Sequence, residues 1–334
     1  PISDSAIKGR PGGVARARTT LAGRCGMTPL RDALAEYLEL RRALGYRLKR
    51  TEKLLGQFCS YLEARGAEAI TVEDALGWAR LPEGADPSWW SQRLSVVRSF
   101  ARYLSAEDDT VEVPPTGLLP GSSPRAHPFL YTDAEVAALI AATRILRGEL
   151  RRATYAMLLG LLATTGMRVG EAIALDCADV NVDAGVVLVR RAKGTKTREL
   201  PLHPSATQAL SDYLALRGRQ RPVSETEALL VSPAGTRLLY CDVHWTFHRR
   251  LIVAAGIEPR STACRPRIHD LRHRFAVNAL LDAYREGLDV ARRLSLLATY
   301  LGHVDPAGTY WYLSAAPELL GLAAARLEEH AAKP

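Results

Sequence analysis

The sequence predicts a mainly α-helical protein of two domains, with one small sheet in the second domain. A length of 334 residues corresponds to roughly two domains of about 150 residues each. Apolar residues recur at helical spacing over most of the chain, and a proline-rich stretch, residues 106–129, separates two such regions. With 47% hydrophobic and 24% charged residues, the composition is that of an ordinary globular protein.

Residues 28–105 are predicted to form a compact unit of four helices. A capping residue stands at the start of each periodic apolar stretch, and Gly45 and Gly66 supply stops after the first two. The predicted starts are Thr28-Pro29, Thr51, Thr71 and Asp86-Pro87. Ahead of this unit, residues 1–27 mix small residues with five basic ones and are predicted to be a basic flexible arm, which either contacts DNA or is a solvated tail.

The second domain is predicted to cover residues 130–317, after a linker of residues 106–129. Thr132 and Glu135 form a capping-box pattern, and helices follow to Thr165. Two short β-type runs then predict a hairpin, and beyond it the chain returns to helices, with residues 318–334 as a C-terminal helix or tail. The two runs are Val186 to Val189 and Glu199 to Leu202.

Composition excludes several classes of protein. The longest nearly apolar run, Tyr155 to Gly166, is too short for a membrane-spanning helix, which needs about 20 residues. The polar, arginine-rich N-terminal stretch does not resemble a secretory signal, and five scattered cysteines do not suggest disulfides, so a cytoplasmic protein is expected. A net charge of +8 favours a polyanionic partner, and nucleic acid is the first hypothesis.

The common nucleotide-binding, serine-hydrolase and zinc-protease motifs are missing from the sequence. Two histidine pairs have the spacing of a helix face, but neither has an evident third ligand, so no metal and no cofactor is expected. The pairs are His244/His248 and His269/His273.

Charged and nucleophilic residues are instead spread over the second domain in four short boxes. In order they are Thr165 to Glu171 with Arg168; Ala192 to Leu202 with Lys193; His269 to Ala276 with Arg272; and Leu301 to His303, followed by Tyr312. From about residue 28 to 317 the chain resembles the tyrosine recombinases, the phage integrase family, whose boxes look like T-G-x-R-x-x-E, G-K-G-x-K-x-R-x-[VL]-P-L, H-x-L-R-H-x-F-A and L-G-H with a nearby Tyr.

This resemblance implies a helical, SAM-like core-binding domain at the N-terminus and a mixed α+β catalytic domain of the DNA breaking-rejoining type. It implies double-stranded DNA as the partner and a homo-tetramer on two DNA sites, with accessory DNA-bending proteins as further candidates and nucleoid association when bound. The segment Ala315 to Ala332 would then dock on a neighbouring protomer or pack in cis.

The resemblance also assigns roles. Arg168 and Arg272 would clamp the phosphate, which suits guanidinium groups because they bind its oxygens in pairs and keep their charge. Tyr312 would be the nucleophile and Lys193, one of only six lysines, the general acid. His269 and His303 would orient the phosphate or assist proton transfer, and Glu171 would position Arg168 or a histidine. Tyr310 and Tyr300 are rival nucleophiles, and Lys196 is a rival of Lys193.

Further basic residues are candidates for DNA phosphate contacts, with a solvated helix face as the alternative. They are Arg41, Arg42, Arg47, Lys49 and Arg50 in the first domain, and Arg249 and Arg250 in the second. The 31 positions from Arg272 to His303 resemble the spacing of transposon-borne members and suggest a mobile-element enzyme. A type IB topoisomerase-like or telomere-resolving enzyme, or a DNA-binding accessory factor with a dormant site, are the alternative functions.

Overall fold

The computed structural model describes residues 28–46, 48–67, 69–120, 127–190, 197–220, 226–302, 318–322, 324 and 328. The chain divides into two compact units, residues 1–124 and 125–334. The described part is mainly helical with one small sheet, which confirms that aspect of the predicted fold class. None of the helices in the described ranges is long and apolar enough to cross a membrane.

The described residues of the first unit form four helices, and the last two begin at side-chain caps. Thr71 Oγ1 accepts a hydrogen bond from the Asp74 N–H at 3.0 Å, and Asp86 Oδ1 accepts one from the Ser88 N–H at 2.8 Å. The second helix begins two residues before the predicted Thr51, after a residue that makes no side-chain cap. The helices are α1 (Thr28–Ala43), α2 (Lys49–Ala64), α3 (Val72–Arg80) and α4 (Pro87–Leu104).

An aromatic core holds these four helices together. Phe58, Trp78 and Phe100 are almost fully buried, and the rings of Phe58 and Trp78 meet edge to face at 5.2 Å. Much of the segment predicted as a linker packs on this unit. Arg98 donates to the carbonyls of Pro114 and Pro115 at 2.6 and 2.8 Å, and the side chain of Leu119 is buried in the same core.

The second unit surrounds one central helix, which is buried on most of its faces and packs against α8 and α11. The Thr132 capping box forms as predicted. The helices are α5 (Asp133–Ala142), α6 (Glu149–Thr165), α7 (Val169–Ala174), α8 (Pro204–Gln220), α9 (Tyr240–Thr246), α10 (Ile252–Ala254), α11 (Asp270–Arg285) and α12 (Val290–Leu301), α6 being the central one. A π-helical segment, Phe247–Leu251, joins α9 to α10.

The sheet has three antiparallel strands in the order β1-β2-β3. They are β1 (Val180–Asn181), β2 (Val186–Val189) and β3 (Arg198–Pro201), so β3 begins one residue earlier than predicted and β1 adds a strand that the sequence pattern did not indicate. Val189 pairs with Arg198, which places Arg198 at the start of β3, directly after the hairpin segment.

A second apolar cluster lies between α11 and α12. The side chain of Leu319, in the short helical stretch of residues 318–322, is 1% exposed and is buried with Leu280, Leu297 and Leu301. This part of the C-terminal segment therefore packs in cis on the second unit.

Candidate active site

Arg272 joins the ends of two helices that are distant in sequence. Its guanidinium donates from Nη1 to the Gly166 carbonyl and from Nη2 to the Leu301 carbonyl, both at 2.8 Å. Carbonyls at helix C-termini lack partners within the helix and have partial negative charge, so they suit a buried cation. Arg272 is 2% exposed. The charge is thus fixed at the point where α6 and α12 end.

A glycine allows α6 to end at this place. Gly166 has φ of +61°, and an added Cβ would lie 2.5 Å from Phe275 Cδ1. Phe275 is itself stacked on Tyr300 with ring centroids 5.5 Å apart. The left-handed turn and the close approach of the ring both require a residue without a side chain.

Glu171 holds both the backbone and the side chain of Arg168. Glu171 lies in the first turn of α7; its Oε2 accepts from the Arg168 backbone N–H and its Oε1 accepts from Arg168 Nη1, both at 2.8 Å. Arg168 Nη2 also reaches the Gly302 carbonyl at 3.5 Å. Because Gly302 follows Leu301, Arg168 and Arg272 donate to neighbouring carbonyls. The structure therefore brings together these two predicted clamp residues, and Glu171 with them.

The Glu171 carboxylate stays ionised despite its position. Its side chain is 9% exposed, and this burial by itself raises the pKa. Hydrogen bonds and charge from Arg198, together with the bonds from Arg168, outweigh the burial and hold the pKa of Glu171 below its ordinary value. Glu171 is therefore a charged acceptor between two guanidinium groups.

The start of α11 places His269 beside Arg272. His269 immediately precedes the helix and is exposed, and its ring meets that of His273 edge to face at 5.0 Å. Asp270 is fully buried and accepts from the Arg267 backbone N–H and from its guanidinium, at 2.8 to 3.1 Å. Burial raises the pKa of Asp270 even beside Arg267. Asp270 anchors the turn from which His269 and Arg272 project.

The arrangement suits an oxyanion with several oxygens. Arg168 is partly exposed, Arg272 is buried behind it, and His269 lies at the surface. Guanidinium groups that are already oriented by hydrogen bonds stabilise a developing negative charge without reorganising. The site can therefore bind a phosphate and support an increase of charge on it.

Six predicted residues lie outside the described residues, namely Lys193, Lys196, His303, Tyr310, Tyr312 and Arg47. Tyr300, the weaker rival nucleophile, is described. It is half-buried against Phe275, and burial raises its pKa, with the nearby Arg198 charge opposing the shift. A phenol in this setting ionises less readily than an ordinary tyrosine.

Three of the predicted DNA contacts have partners within the first unit. Arg41 lies over the Tyr46 ring at 4.2 Å, Arg42 pairs with Glu52 at 2.5 Å, and Arg50 lies over the Trp89 ring at 4.5 Å. The remaining three are Lys49, which is exposed at the start of α2, Arg249, which is exposed on the π-helical segment, and Arg250, which is half-buried there.

The His244 and His248 rings lie 4.3 Å apart on one helix face, as their spacing predicts. Burial and the neighbouring His244 lower the pKa of His248. Over the described ranges no group of three or more His, Cys, Asp or Glu side chains is placed to hold a metal ion.

Residues 130–318 match the phage integrase family. A Sinorhizobium fredii protein named as an integrase/recombinase, y4rB, is 43% identical over 309 residues, which cover 90% of this chain and 98% of that protein. The chain belongs to the phage integrase family. It is a tyrosine-type site-specific recombinase, in agreement with the function predicted from its motifs.

Other relatives extend the match. The tyrosine recombinase XerD of Pseudomonas aeruginosa is 31% identical, over 85% of this chain and 92% of that protein. Two solved structures share the fold, each with a TM-score of 0.61. The first is XerH bound to its difH substrate, which is 20% identical; the match covers 92% of this chain and 87% of the XerH chain. The second is the Tn1549 transposon integrase in complex with a circular intermediate DNA, which is 18% identical; the match covers 89% of this chain and 99% of the integrase chain.

Sequence reasoning did not single out Arg198 or Asp270. Arg198 Nη2 donates to Glu171 Oε2 at 2.8 Å, and Asp270 anchors α11. Both residues stand inside boxes that the sequence displays, Arg198 five positions after Lys193 and Asp270 next to His269. Their roles become visible only from the residues that they contact. For Arg198 this residue is Glu171, 27 positions away in sequence.

Two glycines four residues apart test the packing behind Arg272. We expect Gly166→Ala to lower the free energy of unfolding by about 1–3 kcal/mol, because the new methyl group would overlap the Phe275 ring. Gly170→Ala, in α7 with nothing within 4 Å, should leave stability unchanged or raise it by up to about 1 kcal/mol. Urea unfolding followed by circular dichroism measures both, and equal losses would contradict this packing.

Replacing the Glu171 carboxylate should lower the stability of the fold by an amount that depends on pH. Glu171→Gln is expected to lower the free energy of unfolding at pH 7 by about 1.5–3 kcal/mol, since charge-assisted hydrogen bonds are lost. The pKa of Glu171 is lowered in the folded state. Its stabilisation is therefore complete above the ordinary glutamate value of about 4.3 and disappears as the pH falls through the lowered value.

The difference between wild type and Glu171→Gln should accordingly stay constant from neutral pH down to about pH 5 and shrink below pH 4. Urea titrations across this pH range measure it. A difference that is unchanged at pH 3 would show that the charge of Glu171 is not what holds the site.

Proposed function

We propose that this recombinase cleaves and rejoins DNA through a covalent 3′-phosphotyrosine intermediate, with Tyr312 as the nucleophile. The observation that supports the proposal most strongly is the pair of guanidinium groups of Arg168 and Arg272, both held by carbonyls at the end of α12. His303 lies two positions after Leu301, the last residue of α12, and Tyr312 eleven positions after it. The chain thus leads from the clamp to the nucleophile.

The chemistry conserves bond energy. The Tyr312 oxygen attacks the phosphorus of a phosphodiester, the bond to the 5′ oxygen breaks, and the DNA 3′ end stays joined to the enzyme through a phosphotyrosine. Arg168 and Arg272 bind the non-bridging oxygens, on which negative charge increases. Attack by a 5′ hydroxyl of another strand reverses the step and releases Tyr312. The cycle consumes no ATP.

The leaving 5′ oxygen needs a proton. Lys193 is the proposed donor, because a lysine can titrate whereas an arginine stays charged. Arg198 begins β3 directly after the hairpin segment that contains Lys193, and it contacts Glu171. The contact of Arg198, five positions after Lys193, with Glu171 supports the choice of Lys193, with Lys196 as the alternative donor. His269 and His303 orient the phosphate or relay the proton.

The proposed partner is double-stranded DNA, gripped by both domains. We propose the four helices α1 to α4 as a SAM-like core-binding domain and residues 130–317 as the catalytic domain. The basic arm of residues 1–27 and the Lys49, Arg249 and Arg250 side chains are proposed phosphate contacts. Arg41, Arg42, Arg47 and Arg50 complete the predicted set. The net charge of +8 supports this assignment and nucleoid association in the cytoplasm.

The proposed assembly is a homo-tetramer on two DNA sites, with accessory DNA-bending proteins as additional partners. The proposed biological role is movement of a mobile element by integration, excision or transposition. Two observations support the role: the long spacing from Arg272 to His303, and the likeness to a transposon integrase. In the structure this length is taken up by α11, a turn at Gly287 with φ of +70°, and α12.

A covalent adduct tests the assignment of the nucleophile. Nicked duplex fragments of the DNA that encodes the protein, with its flanks, are incubated with wild type, Tyr312→Phe, Tyr310→Phe and Tyr300→Phe. We expect adducts on denaturing gels with all but Tyr312→Phe, and sequencing of the trapped DNA gives the cleavage site. Persistence of the adduct in Tyr312→Phe, with loss in Tyr310→Phe, would transfer the role to Tyr310.

The same experiment separates the other functions. Relaxation of a supercoiled plasmid that lacks the site, with no exchange between two sites, would indicate a type IB topoisomerase-like or telomere-resolving enzyme. Binding without any adduct on any fragment would indicate a DNA-binding accessory factor with a dormant site.

Lys193 is tested by removing the need for a proton. A duplex with sulfur in place of the 5′ bridging oxygen has a thiolate leaving group, which departs unprotonated. Lys193→Ala should cleave the ordinary duplex about 10²–10⁴-fold more slowly than wild type and should regain most of that rate on the sulfur duplex. Lys196→Ala is the matched control. Rescue of Lys196→Ala alone would move the general acid to Lys196.

A further inference from the structure

Arg198 is a nearly buried arginine beside the clamp to which the proposed mechanism gives no role. Its side chain is 10% exposed. Its fork meets both oxygens of Glu171, Nη2 to Oε2 at 2.8 Å and Nη1 to Oε1 at 3.3 Å. Bidentate pairing of this kind fixes the plane of the carboxylate as well as its position.

The Glu171 carboxylate is shared between two arginines. Its Oε1 accepts from Arg168 Nη1 and Arg198 Nη1, and its Oε2 accepts from the Arg168 backbone N–H and Arg198 Nη2. These four contacts match the acceptor capacity of a carboxylate. The rotation of Glu171 is therefore set by Arg198 on one side, and it sets the direction of the Arg168 guanidinium on the other.

Arg198 also lies against the peptide that Arg168 reaches. Gly302 has φ of +67°, and a Cβ built there would be 3.1 Å from Arg198 Nη1 and 3.4 Å from its Cζ. The carbonyl of the same residue accepts from Arg168 Nη2. The Arg198 guanidinium thus packs between the start of α7 and the end of α12, which are the two elements that orient Arg168.

We propose that Arg198 is a positioning residue for DNA cleavage, which orients Glu171 so that Glu171 holds the Arg168 guanidinium at the phosphate. The proposal rests on the proposed function of Arg168 as a phosphate clamp. Arg198 acts through Glu171 and makes no contact with the reacting atoms.

An uncharged side chain of similar size would not replace Arg198. Without its charge, the buried Glu171 would keep Arg168 as its one counter-ion among the described residues, and the effect of burial on its pKa would be less well opposed. Glu171 would then take up a proton at a higher pH, lose acceptor capacity and release Arg168. A positioning role therefore predicts a change in the pH dependence of cleavage, which a purely structural role does not.

Single-turnover cleavage of a nicked duplex spanning the mapped site tests the proposal, with Arg198→Gln, Arg198→Lys, Glu171→Gln and the double variant Glu171→Gln/Arg198→Gln. Arg198→Gln should slow cleavage on the order of 10- to 100-fold, as misplacement of a catalytic group does. Arg198→Lys should recover part of the rate because it restores the charge without the fork. The double variant should be no slower than the slower single variant, because both act on one group.

The pH profile and a matched control complete the kinetic test. As the pH is lowered, the cleavage rate of Arg198→Gln should begin to fall at a higher pH than that of wild type. This difference should be absent in the Glu171→Gln background. Arg237→Gln is the control, since Arg237 also pairs with a carboxylate near α7, Asp176, and donates to the Ile173 carbonyl at 2.8 Å. It should cleave within about twofold of wild type. Rate losses that multiply in the double variant, or an equal loss in Arg237→Gln, would overturn the proposal.

A second measurement needs no DNA and so separates this proposal from the proposed function. Carbon-13 labelling of glutamate carboxyl groups follows the titration of Glu171, with Glu171→Gln to assign its signal. We expect Arg198→Gln to raise the pKa of Glu171 and Arg198→Lys to restore most of it. An unmoved pKa would overturn the proposal whether or not the enzyme forms an adduct. A moved pKa with no wild-type adduct would support the positioning of Glu171 by Arg198 and would count against the proposed function on which the role in cleavage rests.

Discussion

The two hydrogen bonds that Arg272 donates to the ends of α6 and α12 are the constraint on which the rest of the site depends. They bring Gly166 and Leu301, 135 positions apart in sequence, to one guanidinium group. A buried arginine without such acceptors would be costly, because a charge removed from water needs compensating partners. The helix ends provide them, so the side chain proposed to bind the phosphate also holds the two helix ends together. A left-handed glycine follows each end, which lets the chain turn away and leaves the carbonyls free for the arginines.

Charge balance follows from this geometry. Arg168 and Arg198 share the Glu171 carboxylate, whereas the Arg272 bonds described above go to neutral carbonyls. Positive charge therefore exceeds negative charge among these side chains, which suits a phosphodiester whose charge increases during attack. One carboxylate keeps two guanidinium groups apart and oriented without cancelling them. Since guanidinium groups keep their charge at any physiological pH, the clamp requires no metal ion to attract a phosphate.

The sequence predicts those parts of the fold that local chemistry decides. Thr71, Asp86 and Thr132 cap their helices as expected, because a cap needs only residues two or three positions away. The hairpin strands are found within one residue of their predicted ends, whereas the two-residue β1 is too short to leave a periodic pattern. Motif order predicts Arg168, Glu171, His269 and Arg272 as site residues. The structure places Arg168, Glu171 and Arg272 together at the ends of α6 and α12, and His269 directly before α11.

The features that the sequence could not predict depend on contacts between residues that are distant in sequence. Arg42 lies in a basic cluster, and its ion pair with Glu52 on the next helix is not indicated by that cluster. In the sequence Arg198 is one of several charged residues near a strand end. Its pairing with Glu171 follows from its place in the sheet. Leu319 could pack in cis or on a neighbour, and its burial beside Leu297 depends on where α11 and α12 lie. Each outcome depends on a partner that the residue's own surroundings in the sequence do not indicate.

The measurement that tests the central claim most directly is a crystal structure of Tyr312→Phe bound to an intact duplex that contains the mapped cleavage site. The account predicts that the guanidinium groups of Arg168 and Arg272 both donate to non-bridging oxygens of the one phosphate at which the strand is cut. Their bonds to the ends of α6 and α12 should persist in that complex. If the two arginines contact different phosphates, or neither reaches the one that is cut, the convergent helix ends do not form the catalytic clamp.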